Sequence, residues 1–211
     1  IAERTGIDVV ADFRRRDIAA GGEAAPLVPA FHAAAFGALS RSRIIANIGG
    51  IANITVLGAD GSVGGFDTGP GNCLMDLWAA EHLGSPYDAG GAWAASAPPH
   101  AALLQRLLSE PYLARPAPKS TGRELFHRAW LDARLAGGGW APAVVQSTLC
   151  EDTAATIAAI RRGGYVLADA PALRAVIMAT GSEVGLALAA QAKLAEEGIA
   201  AHWKYKDGKL V

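Results

Sequence analysis

Cysteine and lysine are scarce in this chain, and long apolar runs are missing altogether. Its two cysteines, Cys73 and Cys150, lie far apart. Two isolated thiols make neither a disulfide framework nor a zinc site with its paired spacings, so both read as reduced core thiols. The histidines His32, His82, His100, His127 and His202 are scattered and supply no ligand set, so no metal site is expected from the protein itself. No stretch reaches the ~18 apolar residues of a spanning helix, and Ile1 does not open a signal peptide. A net charge of −1 lacks the basic excess of a nucleic-acid binder or of a protein held on an anionic membrane. No internal repeat is visible. The expectation is a cytoplasmic protein without nucleic-acid or membrane partners.

What is present is a chain able to build a core. Its 211 residues are 51% hydrophobic and 18% charged, enough for one or two domains. The most informative stretch is residues 44–72. Asn47-Ile-Gly-Gly-Ile-Ala-Asn53 sits between β-branched runs and reads as a hairpin turning on Gly49 and Gly50. With no side chains at the turn, an anion can approach the main chain. An ordinary hairpin without a ligand is the competing reading. Gly65-Phe-Asp-Thr-Gly-Pro-Gly-Asn72 reads as a strand after the Asp60-Gly61 turn, ending on Asp67 and passing through Gly69 and Pro70 into a helix over 72–83. Asp67 as a turn former or helix cap is the bland alternative. The two runs together put N–H donors and a carboxylate at neighbouring strand ends, a combination suited to phosphate chemistry.

Five ordered motifs carry a family resemblance. They are Asp12-Phe-Arg-Arg-Arg-Asp17 with its following Gly21-Gly22, Ala25-Pro-Leu-Val-Pro29, the run 47–55, the run 65–72, and Pro118-Lys-Ser-Thr-Gly-Arg-Glu124. Over roughly residues 1–158 the chain resembles 1,6-anhydro-N-acetylmuramic acid kinase, a cell-wall recycling enzyme. The resemblance implies an α/β chain with a partial actin-like ATPase (sugar kinase) fold, a mixed sheet and helices. It implies ATP and Mg²⁺ as cofactors, an anhydro amino sugar as partner, hydrolysis of the 1,6-anhydro bridge and phosphorylation at O6. The intact family admits a homodimer. By resemblance Asp67 is the catalytic base. Asn47, Gly49, Gly50, Asn53 and Gly69 are phosphate or nucleotide contacts, and Asp12, Arg14 and Lys119 are substrate contacts. Each has a plainer reading: an exposed basic turn for Arg14 to Arg16, a solvated loop lysine for Lys119.

The resemblance is incomplete. The family's opening Gly- and Ser-rich phosphate loop and its closing glycine-rich nucleotide segment have no counterpart here, so the chain alone is expected to be inactive. Arg161-Arg-Gly-Gly-Tyr165 and Ala175-Val-Ile-Met-Ala-Thr-Gly-Ser-Glu-Val184 are similar to the start of the transketolase C-terminal domain, implying a short strand–helix unit over 159–199. The expected organisation is a kinase-like region over residues 1–158, a transketolase-like region over residues 159–199 and an unassigned tail over residues 200–211. Few packed contacts are expected across the junction. A non-catalytic chimeric fragment is the alternative to a kinase, and a transketolase fragment is a weaker one. The tail holds Lys204, Lys206 and Lys209, three of the five lysines, and reads as a solvated terminus.

The remainder reads as scaffold. A strand is expected over 7–10, and helices over 26–39, 123–135 and 142–160. The Leu103, Leu104, Leu107 and Leu108 stripe reads as core. His32 is expected to be packed or capping. A strand over 174–178 and a helix over 183–197, capped by Ser182, complete the chain.

Overall fold

The structure is a computed structural model that describes residues 1–37, 42–159, 174–178, 190, 192–196, 198 and 200–204. The expected helix end after residue 37, the Thr180-Gly181-Ser182 turn, the helix start at Glu183 and the tail beyond Lys204 lie outside them.

A five-stranded mixed sheet organises the chain. Strands β1 (Arg43–Ile48) and β2 (Ile51–Leu57) form the expected hairpin, with Ile48 opposite Ala52 and Gly49-Gly50 at the turn. Strand β3 (Val63–Pro70) runs antiparallel to β2 and continues past Phe66 to Pro70, its register shifting by one residue at a bulge opposite Ala52/Asn53. Strands β4 (Arg174–Met178) and β5 (Ala200–Lys204) add in parallel on the far side of β1, giving the order β3-β2-β1-β4-β5.

The two faces of the sheet differ as their side chains do. Ile44, Ala46, Ile48, Ala52, Ile54, Val56 and Phe66 pack into the core with helices that follow β3 in the chain. After α1 (Ala2–Thr5), α2 (Phe13–Ala19) and α3 (Pro29–Phe36), these are α4 (Cys73–Leu83), α5 (Ala101–Leu108), α6 (Arg128–Leu135) and α7 (Pro142–Ala158). Leu103 and Leu107 of the expected stripe are fully buried; each such leucine stabilises the fold by ~1.5–3 kcal/mol. Helix α7 begins on Pro142, whose missing N–H has no role in a first turn. The Thr153 hydroxyl of α7 lies 2.9 Å from the Pro70 carbonyl and 3.1 Å from that of Gly71, pinning α7 to the end of β3. Burial pushes the Cys73 and Cys150 thiols up to about 11, as befits unreactive core cysteines.

On the opposite face α3 packs over β2 and β3. His32 is buried there, with Nδ1 2.8 Å from the Thr55 hydroxyl, and burial lowers its pKa. It is a packed histidine, as expected.

Four expectations change. Residues 7–10 form no strand, and Ile7, Val9 and Val10 stay exposed, because no sheet edge among the described residues pairs with them. The helix expected over 26–39 starts later, at Pro29. The helix expected from residue 123 starts at Arg128, where His127 Nδ1 accepts the Trp130 N–H at 3.4 Å; residues 122–127 turn instead, with the Leu125 and Phe126 N–H groups both on the Gly122 carbonyl at 3.2 Å. Ala200–Lys204 is an edge strand and not part of a loose tail.

The expected junction near residue 159 is not a gap in packing. β4 pairs with β1 from Arg43↔Arg174 to Asn47↔Met178. Ala190 and Leu194 are buried in the same core cluster as Leu149 and Ile157. Lys193 Nζ lies 2.7 Å from Glu151 Oε1 on α7.

Candidate active site

Three strands place a polar row on the α3-facing side of the sheet. Asn47 lies opposite Asn53, and Asn53 opposite Asp67. Neighbours across a sheet share a face, so the hairpin and the strand end that the sequence singles out converge here. Asn53 Oδ1 is buried without a hydrogen-bond partner.

Asp67 is 4% exposed and is gripped by residues 112–121. Its N–H donates to the Lys119 carbonyl at 3.1 Å. Its own carbonyl accepts the Tyr112 hydroxyl at 2.8 Å. Its carboxylate takes two further donors, the Ser120 hydroxyl and the Thr121 N–H, both at 3.0 Å and both on Oδ2. Among the described residues Oδ1 accepts no hydrogen bond. Burial raises the Asp67 pKa; the Thr121 and Ser120 hydrogen bonds and the Arg14 charge pull it back, and Glu124 pushes it up. A carboxylate with a raised pKa and one uncommitted oxygen is a candidate base for water.

The glycines divide into different roles. The Gly49 carbonyl accepts the Asn72 N–H at 2.9 Å, and the Gly50 carbonyl accepts those of Gly71 and Cys73 at 3.0 and 3.2 Å. The first N–H groups of α4 are therefore capped by the hairpin turn, and no side chain caps this helix. Gly71 has no room for a side chain: a Cβ would strike the Gly49 carbonyl oxygen. At Gly50 a Cβ would stand 3.3 Å from the Arg123 guanidinium, so an exposed cation flanks the open side of the turn. Gly69 has φ +154° and pairs with Ala52; a Cβ there would come 2.9 Å from Leu113, so its bare backbone serves close packing.

The expected substrate contacts are spread out. Arg14 on α2 donates to the Ala24 carbonyl at 2.7 Å and acts on Asp67 through its charge. Asp12 precedes α2, is exposed, and faces Arg15 at 3.5 Å. Lys119 is buried. Its ammonium donates to the Tyr112 and Leu113 carbonyls at 3.3 and 3.0 Å and lies 4.8 Å from the Tyr112 ring centre. Burial, then Arg115, lowers its pKa. A cavity of about 220 Å³ opens beside these residues, lined among others by Asp17, Gly22, Pro26, Gly65 and Lys119.

A family model described as anhydro-N-acetylmuramic acid kinase matches residues 1–186. The chain belongs to the anhydro-N-acetylmuramic acid kinase family. It is 55% identical over 183 residues to a protein of that name from Burkholderia cenocepacia, covering 86% of this chain and 47% of the relative. Identity to the Cupriavidus pinatubonensis protein of that name is 54% over 189 residues, 88% of this chain and 49% of the relative. For one from Xanthomonas campestris pv. campestris it is 56% over 158 residues, 75% and 42%. The chain thus spans about half the length of the curated relatives it matches. The family match runs through residue 186, over most of the stretch 159–199 read as transketolase-like, and nothing supports that second identity.

Sequence reasoning within the kinase motifs misses Ser120, Thr121, Tyr112 and Arg123. The Pro118–Glu124 run is conspicuous, but its lysine draws the assignment because it carries a charge. The residues that touch Asp67 are the neighbouring hydroxyl and amide.

Proposed function

We propose that this chain carries the base-bearing portion of an ATP-dependent anhydro-sugar kinase built on an actin-like ATPase fold. In this reading water attacks the anomeric carbon of 1,6-anhydro-N-acetylmuramic acid and its proton passes to Asp67. The bond from that carbon to the bridging oxygen breaks. The freed O6 takes the γ-phosphoryl group and ADP leaves. The observation that supports this best is Asp67 itself: buried, its carboxylate held through Oδ2 alone, and tied through its backbone to Lys119, which lines the cavity. Phosphoryl transfer is largely positioning and charge stabilisation. Arg123 beside Gly50 supplies positive charge on the hairpin side, where a nucleotide phosphate would lie.

The described residues contain no cluster of three or more His, Cys, Asp or Glu side chains that could hold a metal. In this reading Mg²⁺ would arrive as a companion of the ATP phosphates and neutralise their charge. The chain's own residues orient the sugar, hold the water and accept its proton.

About half of the relatives' length lies outside the match, and misplacing reacting groups by ~1 Å already costs about 10²-fold in rate. The 211 residues alone are expected to bind sugar without turnover. Titrating the anhydro sugar into the isotope-labelled chain should shift the amide resonances of Gly65, Asp67 and Thr121. Shifts confined to other regions would count against the site.

A further inference from the structure

Resting on Asp67 as the base, we infer that Ser120 is a positioning residue that dedicates one oxygen of Asp67 to proton removal. A carboxylate has two equivalent oxygens and turns readily about its terminal bond. Here the Ser120 hydroxyl and the Thr121 N–H, each at 3.0 Å, both fall on Oδ2. Two donors on one oxygen fix the plane of the group and leave Oδ1 as the proton acceptor. The backbone of Asp67 is tied to the same segment at both ends, through the Lys119 carbonyl and the Tyr112 hydroxyl. Strand and loop are thus joined on both sides of the carboxylate, and among the described residues Ser120 is the side chain that hydrogen-bonds it.

The charge environment leaves this hydrogen bond a distinct task. Arg14 on α2 and Glu124 beyond Thr121 face Asp67 with opposite signs, and Tyr112 contacts it through a neutral hydroxyl. The Lys119 ammonium is turned to the Tyr112 and Leu113 carbonyls. On the adjacent strand the facing residue is Asn53, which carries no charge. A hydrogen bond to the ionised form keeps a buried carboxylate deprotonated at working pH. Ser120 thereby sets orientation and readiness together.

The test is a carbon-13 NMR titration of carboxyl-labelled aspartate in the full chain. Ser120→Ala should raise the Asp67 midpoint by about one pH unit, a tenfold change in its acid constant, with the amide spectrum otherwise unchanged. Ser120→Thr keeps the hydroxyl and should restore the original midpoint. An unchanged midpoint in Ser120→Ala, or a threonine variant that behaves like alanine, overturns the inference. This readout needs no turnover, so it separates from the kinase reading. If Asp67 titrates as described yet Asp67→Asn leaves product formation intact in an active enzyme, the kinase reading fails while the grip on Oδ2 stands.

Discussion

Asp152 should make this protein less stable at neutral pH than in mild acid. Its side chain is 1% exposed in the middle of α7, and its Oδ1 has no hydrogen-bond partner. Burial alone pushes its pKa from 3.8 up to about 7. The folded state therefore holds this proton more tightly than the unfolded state. Its stabilising contribution is complete below pH 3.8 and is lost as pH rises towards about 7. Each pH unit in that interval carries about 1.4 kcal/mol, so the full interval amounts to about 4 kcal/mol, a sizeable share of a typical domain's stability. Asp152→Asn removes the titration, and Asp152→Leu also removes the unpaired oxygen. Urea unfolding followed by circular dichroism at about pH 5 and about pH 7.5 measures the effect. Wild type should lose stability between the two, and both variants should lose less and exceed wild type at the higher pH. A wild type and Asp152→Asn pair with the same pH dependence would refute the reasoning.

Other substitutions probe the rest of the frame. Gly71→Ala forces a methyl against the Gly49 carbonyl; the turn that caps α4 should open, with a stability loss of about 2 kcal/mol or more in urea. Lys119→Met removes donors from the Tyr112 and Leu113 carbonyls and should lower the stability measured in urea by about 1–3 kcal/mol. If it weakens sugar binding with stability intact, the lysine is a ligand contact and not a strut. Leu194→Ala opens the shared core and should cost about 2–5 kcal/mol within a single transition. A separate early transition would show that the segment beyond residue 159 folds independently.

The hairpin, the strand that carries Asp67 and helices α4, α5 and α7 are legible in the sequence because local signals agree, although that strand runs on to Pro70. β-branched residues flank Gly49-Gly50, apolar residues recur at helical spacing in 101–108, and Pro142 marks a start. What is not legible depends on contacts distant in sequence. Residues 7–10 have a strand's composition but find no partner edge. Residues 123–127 have no strong breaker, yet their backbone follows the segment that grips Asp67, more than 50 positions away in sequence. The parallel pairing of β4 with β1 is likewise invisible locally, so a short resemblance in 160–199 outweighs the continuity that the sheet provides. At the site, charge draws attention to Lys119 and Asp12, while the atoms on the carboxylate belong to a serine and a backbone amide.

The central claim is that Asp67 is the base of an anhydro-sugar kinase. Residues 1–186, the span of the family match, can be placed in the Burkholderia cenocepacia relative in exchange for the corresponding segment; the chain is 55% identical to that relative over 183 residues. Product is then followed by phosphorus NMR with ATP, Mg²⁺ and anhydro-N-acetylmuramic acid. The account predicts a sugar 6-phosphate from the exchanged enzyme and a rate lowered about 10²–10⁴-fold by Asp67→Asn. No product from the exchanged enzyme, or equal rates with and without the Asp67 carboxylate, would contradict it.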